Sequence, residues 1–395
     1  MRKAFVIAAA VVAPVLALVP VSSATAKPGA HGAVTVAVYG DAPYGTSNTD
    51  TAEFQATPAF IDSVNNDPQV GLVAHVGDIH SGKQYCTEGY DRSVAQLWTR
   101  FSDPLVYTPG DNEWSDCHKV AEGGGQYDPA TGQIKYVIDP TTGQFADYAK
   151  GDPIANLDLV RSIFFPVPGR PLGNGKQKLT SQAQAFDRAH PSDAKYVENV
   201  MWKQKDILFV TINVPGGSNN DTDVWYGAPA AGPAQTQEVA ERSGADLRWL
   251  DHAFTEANDE DAAGVVIISQ ADMWDLEKGP AHLTQYEPFV SSIASHTSQF
   301  AKPVLMFNGD SHLYRSDNPL SPSAPCTGEV AGGEGPCPSV ATAHPGYDVA
   351  NFHRVVVHGS LFPLEWLKLT IDPDANHPAA ANTFGPFSWQ RMIQP

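Results

Sequence analysis

The sequence contains no C-x-x-C step, no G-x-S-x-G step and, beyond residue 19, no apolar run long enough to cross a bilayer. The first absence weighs against a zinc site built from its cysteines. The second removes the usual signature of a serine hydrolase nucleophile. Basic residues are also scarce: 25 Lys and Arg face 44 Asp and Glu, for a net charge of -19. Such a surface repels duplex DNA and anionic membranes, so nucleic-acid binding is not expected. A small phosphorylated substrate is not excluded, because bound metal ions would set the local field. Cysteine is limited to Cys86, Cys117, Cys326 and Cys337. An even number in an exported chain favours disulfides over free thiols. Three connectivities are possible, and Cys86–Cys117 with Cys326–Cys337 is preferred because each pair falls in the loops of one region.

Export is indicated at the amino end. Arg2 and Lys3 precede an apolar run from Ala4 to Val19, and small residues follow to Ala24-Thr25-Ala26. A basic start, an apolar stretch and an A-x-A site describe a secretory leader over residues 1–26, with the mature chain starting at Lys27. A membrane anchor is the alternative reading of the same run. Loss of the leader takes Arg2 and Lys3 away and makes the balance more acidic still. The expected product is a secreted or periplasmic monomer, free of the membrane once the leader is cleaved.

Short apolar runs alternate with amphipathic stretches. Strands are expected at Val34–Tyr39, Gly71–Val76, Leu105–Thr108, Ile207–Val214, Val265–Ser269, Val304–Phe307, Arg354–His358 and Glu365–Ile371. Several are apolar throughout, which suits strands covered on both faces. Helices are expected at Thr51–Asn65, Tyr90–Phe101, Ala234–Glu256 and Thr284–Phe300. The alternation predicts an α/β fold with much parallel sheet, as a single domain from residue 27 to 395. A Gly-, Pro-, Gln- and Asp-rich stretch, residues 122–205, reads as an insertion of hairpins and irregular loop. It holds an internal echo, Asp128-Pro129-Ala130-Thr131-Gly132-Gln133 and Asp139-Pro140-Thr141-Thr142-Gly143-Gln144, which is turn chemistry, with Ile134–Ile138 as a short strand between. Ser316–Val349 is a second long loop. Both are expected near the site rim.

Four apolar strands end in Gly-Asp, at Gly40-Asp41, Gly77-Asp78, Gly110-Asp111 and Gly309-Asp310; the last continues Ser311-His312. Glycine lets the backbone turn as it leaves a strand. The aspartate is then presented at the carboxyl edge of the sheet, where ligands of open α/β sheets bind. A lone Gly-Asp is ordinarily a turn. Four gathered carboxylates repel one another unless cations neutralise them, and oxygen ligands with one imidazole suit divalent metals.

With these motifs the chain resembles the calcineurin-like metallophosphoesterases, whose pattern is D-x-H, G-D, G-N-H-D/E, a His after a strand, and G-H-x-H. The matching places are Asp41-Ala42-Pro43, Gly77-Asp78, Gly110-Asp111-Asn112-Glu113, Gln270, and Gly309-Asp310-Ser311-His312. The chain also looks like a variant branch carrying a P-G-D-N-E-W block, here Pro109 to Trp114. The resemblance implies a four-layer α/β/β/α sandwich with two divalent metal ions. One ion would be held by Asp41, Asp78 and His312, the other by Asp78, Asp111, Asp310 and Gln270, with Asp78 bridging. It further implies hydrolysis of a phosphomonoester or phosphodiester by a hydroxide held between the two ions.

The departures are substantial. Pro43, Asn112, Gln270 and Asp310 stand where the family has histidines, and Asp111 replaces an asparagine. An oxygen-rich set favours Mn, Mg or Ca over Zn or Fe. Asn112 can hydrogen-bond a phosphate but is a poor proton donor. His80 is the candidate substitute for protonating the leaving group, although a solvent-facing loop histidine is the preferred reading. His118, His353 and His358 are weaker candidates. Asn213 reads as a turn cap or a substrate contact, and Trp114 and Trp274 as core or pocket wall. Against the hydrolase stands a second reading, a protein of this fold that binds metal or phosphate without turnover.

Overall fold

The structure, a computed structural model, describes residues 33–394 apart from residues 48, 221, 277, 278 and 332. The leader expected at residues 1–26 lies outside the described residues. Two mixed sheets dominate the rest. The first has eight strands, in the order His377–Ala380, Thr383–Gly385, Phe387–Ile393, Glu365–Ile371, Val34–Tyr39, Val70–His75, Pro104–Tyr107 and Leu172–Gly173. The second has nine, in the order Gly333–Pro336, Thr327–Val330, Arg315–Asp317, Phe352–Val356, Val304–Asn308, Gly264–Ile268, Ile207–Thr211, Val200–Gln204 and Thr180–Ser181. Pairing is parallel at the centre of each sheet: Val34–Tyr39 to Pro104–Tyr107 in the first, Ile207–Thr211 to Phe352–Val356 in the second. Antiparallel strands flank both centres.

Side-chain alternation along these strands decides the layers. Val36, Val38, Leu72 and Ala74 of the first sheet meet Phe209, Val266, Ile268, Leu305 and Phe307 of the second in one buried cluster. The intervening residues face away. Ala37, Tyr39, Val73 and Leu105 pack against Phe60, Ile61 and Val64 of helix Ala52–Asn65 and Val94 and Trp98 of helix Glu88–Trp98. Leu208, Val210, Val265, Ile267 and Met306 pack against Trp249, Leu250, Ala253 and Phe254 of helix Pro233–Asp259 and Val290 and Ile293 of helix Glu287–Phe300. The result is an α/β/β/α sandwich. Strands buried on both faces explain why their sequences read as unbroken apolar runs.

Several expectations need correction. The stretch 122–205 is not only hairpin and loop: it contains helix Pro153–Phe164, whose Leu159, Val160, Ile163 and Phe164 join the helical face of the first sheet. Its start signals were in the sequence, since Asp152 caps the helix by accepting the Ala155 N–H at 2.9 Å and Pro153 follows. The same stretch ends in Val200–Gln204, an antiparallel partner of Ile207–Thr211. The strand expected to reach Val214 stops at Thr211. The helix expected at Thr284–Phe300 divides into Pro280–Thr284 and Glu287–Phe300, with Pro288 in the first turn of the second. The internal echo becomes a structural one: Asp128 and Asp139 accept the N–H of Ala130 and Thr141, and Gly132 and Gly143 share a φ of 69°. Both disulfides form with the preferred pairing, Cys86–Cys117 and Cys326–Cys337.

Candidate metal centre

The four Gly-Asp steps converge at one edge, where the parallel strands of both sheets end. The turn is made differently from the sequence expectation. Among the four glycines only Gly77 has positive φ, while Asp41, Asp78 and Asp310 take left-handed values of 49°, 58° and 72°. Aspartate tolerates that conformation better than most residues. The glycines are needed for closeness instead. A Cβ on Gly110 would stand 2.0 Å from Asp78 Oδ1, and one on Gly309 would stand 2.2 Å from Asp41 Oδ2. Gly110 and Gly309 therefore make room for the carboxylates of two other steps, while Gly40 and Gly77 make room for Val76 and Gln270.

Asp41, Asp78 and His312 each bring a ligand atom to within 4.8 Å of the other two. His312 Nε2 lies 3.4 Å from Asp41 Oδ1 and 3.1 Å from the hydroxyl of Tyr44. Asp41 Oδ1 also accepts the Asp310 N–H at 3.0 Å, whereas Asp41 Oδ2 is buried without a hydrogen-bond partner among the described residues. Asp111 and Asp310 approach one another across Gly216, where a Cβ would meet their oxygens at 2.6 and 2.9 Å. Gln270 stands between Asp78 and Asp111 and donates from Nε2 to each at 3.0 Å. Its Oε1 accepts the Gly216 N–H, which fixes the orientation of the amide.

The carboxylates strain against one another. Asp78 is pushed well up by burial and then by Asp111, Glu113, Asp41 and Asp310. Asp111 is pushed up to about 7 by burial and then by Asp116. Asp310 is raised by burial and then by Asp111. Burial works against charge on His312, but hydrogen bonding and attraction to Asp41 outweigh it and raise the imidazole above its ordinary value. Buried like charges with an orphaned oxygen at their centre fit a divalent cation. Four carboxylates and one imidazole are a hard, oxygen-rich donor set.

Asn112 and His80 occupy different positions. Asn112 is half-buried, and its Nδ2 donates to Asp78 Oδ2 at 3.2 Å and to the His80 carbonyl at 3.0 Å. Its amide hydrogens are thus engaged, one by Asp78 and the other by the His80 carbonyl. His80 is fully buried and its Nε2 lies 2.6 Å from Asp91 Oδ1, beneath the centre. The weaker candidates are tied elsewhere: His118 Nδ1 accepts from Tyr226 N, His353 bonds Ser316, and His358 bonds Glu329. Asn213 donates to Glu198 in the interior. Trp114 and Trp274 are core residues, lying under Arg242 and Arg354 respectively.

Other residues support the centre without having been singled out. His75 Nε2 donates to the Ala42 carbonyl at 2.9 Å and its Nδ1 accepts the Gly77 N–H at 3.2 Å, so one ring braces the turns at Asp41 and Asp78. Burial lowers its pKa to about 4, which keeps it neutral for that role. Glu113 accepts from Gly110 N at 2.7 Å and from the Tyr107 hydroxyl. Asp272 donates its N–H to Asp310 Oδ2 at 3.0 Å and is itself paired with buried Arg354. His75, Tyr44 and Glu113 were signalled by their position beside the Gly-Asp steps and Asp272 by its position beside Gln270; Arg354 had no such signal.

No protein-family model matches this chain, and no curated protein matches it. Among solved structures it is similar to a purple acid phosphatase isolated from yellow lupin (Lupinus luteus) seeds, at 12% sequence identity and a TM-score of 0.38. That similarity covers 87% of this chain and 50% of the lupin chain, so the chain spans about half the length of that protein. Strand order and core packing by themselves establish the α/β/β/α layers.

Proposed function

We propose that this chain is an exported, metal-dependent phosphoesterase that hydrolyses a small phosphomonoester or phosphodiester. The observation that carries the proposal is the convergence of Asp41, Asp78, Asp111 and Asp310 with His312 at the carboxyl edge of the two sheets. Two divalent ions, Mn, Mg or Ca in preference to Zn or Fe, suit its oxygen donors. Asp41, Asp78 and His312 would hold one, and Asp78, Asp111 and Asp310 the other. Gln270 stands ready to steady Asp78 and Asp111. When bound, such ions supply Lewis-acid stabilisation of charge on the phosphoryl oxygens. Export is supported by the leader-like residues 1–26 and by the two disulfides. Among the described residues no helix is long and apolar enough to cross a membrane.

The protein's own side chains set limits on the chemistry. Asn112 positions Asp78 and has no free amide hydrogen to give. His80 is enclosed against Asp91. Esters of acidic alcohols, which leave without a proton, are therefore the substrates expected to react fastest. This same shortage favours the second reading, a protein that binds metal or phosphate without turnover. Hydrolysis of aryl phosphate monoesters and diesters across Mn, Mg, Ca and Zn separates the two. Turnover that disappears in Asp78→Asn supports the enzyme. Metal binding with no turnover of any ester supports the binding protein.

A further inference from the structure

Pro43 has no side-chain donor to offer an ion, but the next residue along the chain has one. Tyr44 is buried, at 3% of full exposure, and its hydroxyl lies 3.1 Å from His312 Nε2. The same nitrogen lies 3.4 Å from Asp41 Oδ1. The loop that carries the ring is pinned ahead of Tyr44. Ala42 N donates to the Asp78 carbonyl at 3.1 Å, and the Ala42 carbonyl accepts from His75 Nε2 at 2.9 Å. Tyr90 donates to the Ile79 carbonyl at 2.9 Å and reaches the Pro43 carbonyl at 3.4 Å. So held, Tyr44 presents its oxygen to His312 instead of to solvent.

We propose that the Tyr44 hydroxyl oxygen is a ligand of the ion held by Asp41, Asp78 and His312, supplying the donor that Pro43 lacks. The proposal rests on the metal-centre reading of the aspartate cluster. Two donors about 2.1 Å from one ion, with about 90–110° between them, stand roughly 3.0–3.4 Å apart. The separations of His312 Nε2 from Tyr44 Oη and from Asp41 Oδ1 both fall in that range. A buried tyrosine that simply satisfies its hydroxyl on a histidine is the plainer reading. But Nε2 is the nitrogen that faces Asp41, and an ion bound there takes its lone pair. The bond between Tyr44 and His312 is then lost, and the phenol oxygen is left buried beside a cation. Ligation gives it a partner again. One more oxygen donor also strengthens the preference for hard ions.

The test counts water on the metal. The full chain is stripped of cations by chelation and reloaded with Mn, whose affinity is measured by calorimetry. The relaxation of water protons per bound Mn is measured at saturation. Tyr44→Phe removes one oxygen and keeps the ring, so the chelated variant should unfold near the wild-type urea midpoint. It is expected to bind Mn roughly tenfold to a hundredfold more weakly, a range typical even for losing a partner of a ligand. Relaxation per bound Mn should rise, because water enters the vacated position. Tyr90→Phe, which loosens the same loop without removing a donor near His312, should leave relaxation unchanged. The added water decides. Its appearance in Tyr44→Phe alone supports the proposal. Unchanged relaxation in Tyr44→Phe, at any affinity, overturns it and leaves the metal centre standing, as does an equal rise in Tyr90→Phe. Wild-type protein that binds no Mn defeats the metal centre and this ligand with it.

Discussion

Removing divalent cations should make this fold lose stability as pH rises from 5 to 8, and adding them back should restore it. Asp111 carries the calculation. Its carboxyl is pushed from 3.8 up to about 7 by burial and then by Asp116. Between those two values the native state binds protons that the unfolded state has lost, so stability falls with rising pH. The stability is fully present below the unfolded value and is lost as pH rises through about 7. From pH 5 upward, Asp111 alone accounts for about 3 kcal/mol, at 1.36 kcal/mol per unit. Burial also raises Glu53 to about 8, Asp147 to about 9 and Asp246 to about 8, which adds pH dependence of the same sign. The informative quantity is therefore the difference between Mn-loaded and chelated protein at each pH. Urea unfolding followed by the fluorescence of the eight tryptophans measures it. Mn at about a hundred times its Kd should return about 2.7 kcal/mol at pH 8, with a smaller gain at pH 5. Asp111→Asn should remove about 3 kcal/mol of the pH dependence of the chelated protein. Equal stability with and without Mn, Mg or Ca at pH 8 would refute the reasoning.

Three further outcomes follow from the geometry. Gln270→Glu places a carboxylate between Asp78 and Asp111, so the chelated protein should unfold at lower urea while Mn binds about tenfold tighter, a gain of about 1.4 kcal/mol by calorimetry. Gly110→Ala drives a Cβ onto Asp78 Oδ1; it should cost about 3 kcal/mol and weaken Mn binding. Gly71→Ala, whose Cβ would meet nothing within 4 Å, serves as the neutral control in the same urea assay. Arg354→Met leaves Asp272 buried without its guanidinium and leaves Asp317 with Arg315 alone. A loss of about 3–5 kcal/mol is expected, read as a shift in the urea midpoint. Mn affinity should fall as well, since Asp272 N holds Asp310.

Much of this architecture is written locally. The central strands are apolar because both faces are covered, so runs such as Val265–Ser269 and Val304–Phe307 were recognisable before any layer was known. The Gly-Asp steps were legible for the same reason: each follows such a run. Less was legible where the partner lies far along the chain. Helix Pro153–Phe164 was hidden by its Gly- and Pro-rich surroundings despite its Asp152 cap. Of the carboxyl-terminal strands, His377–Ala380 is a short edge element, and Phe387–Ile393 is placed by its pairing with Glu365–Ile371.

The residue types of the centre, four aspartates, Asn112, Gln270 and His312, follow from sequence alone, because the chemistry resides in the side chains and the order in the motif. Their roles do not. Only the folded chain, by bringing Gly216 N–H against Gln270 Oε1, turns that amide's donors onto Asp78 and Asp111. Only packing makes His75 a neutral brace and encloses His80 against Asp91. Even the glycines acquire their reason there: three of the four before the aspartates have no positive φ, and at Gly110 and Gly309 the need for a missing Cβ comes from carboxylates more than 30 residues away. A hydrogen bond or a steric contact is set by distance in space, and distance along the chain carries no record of it.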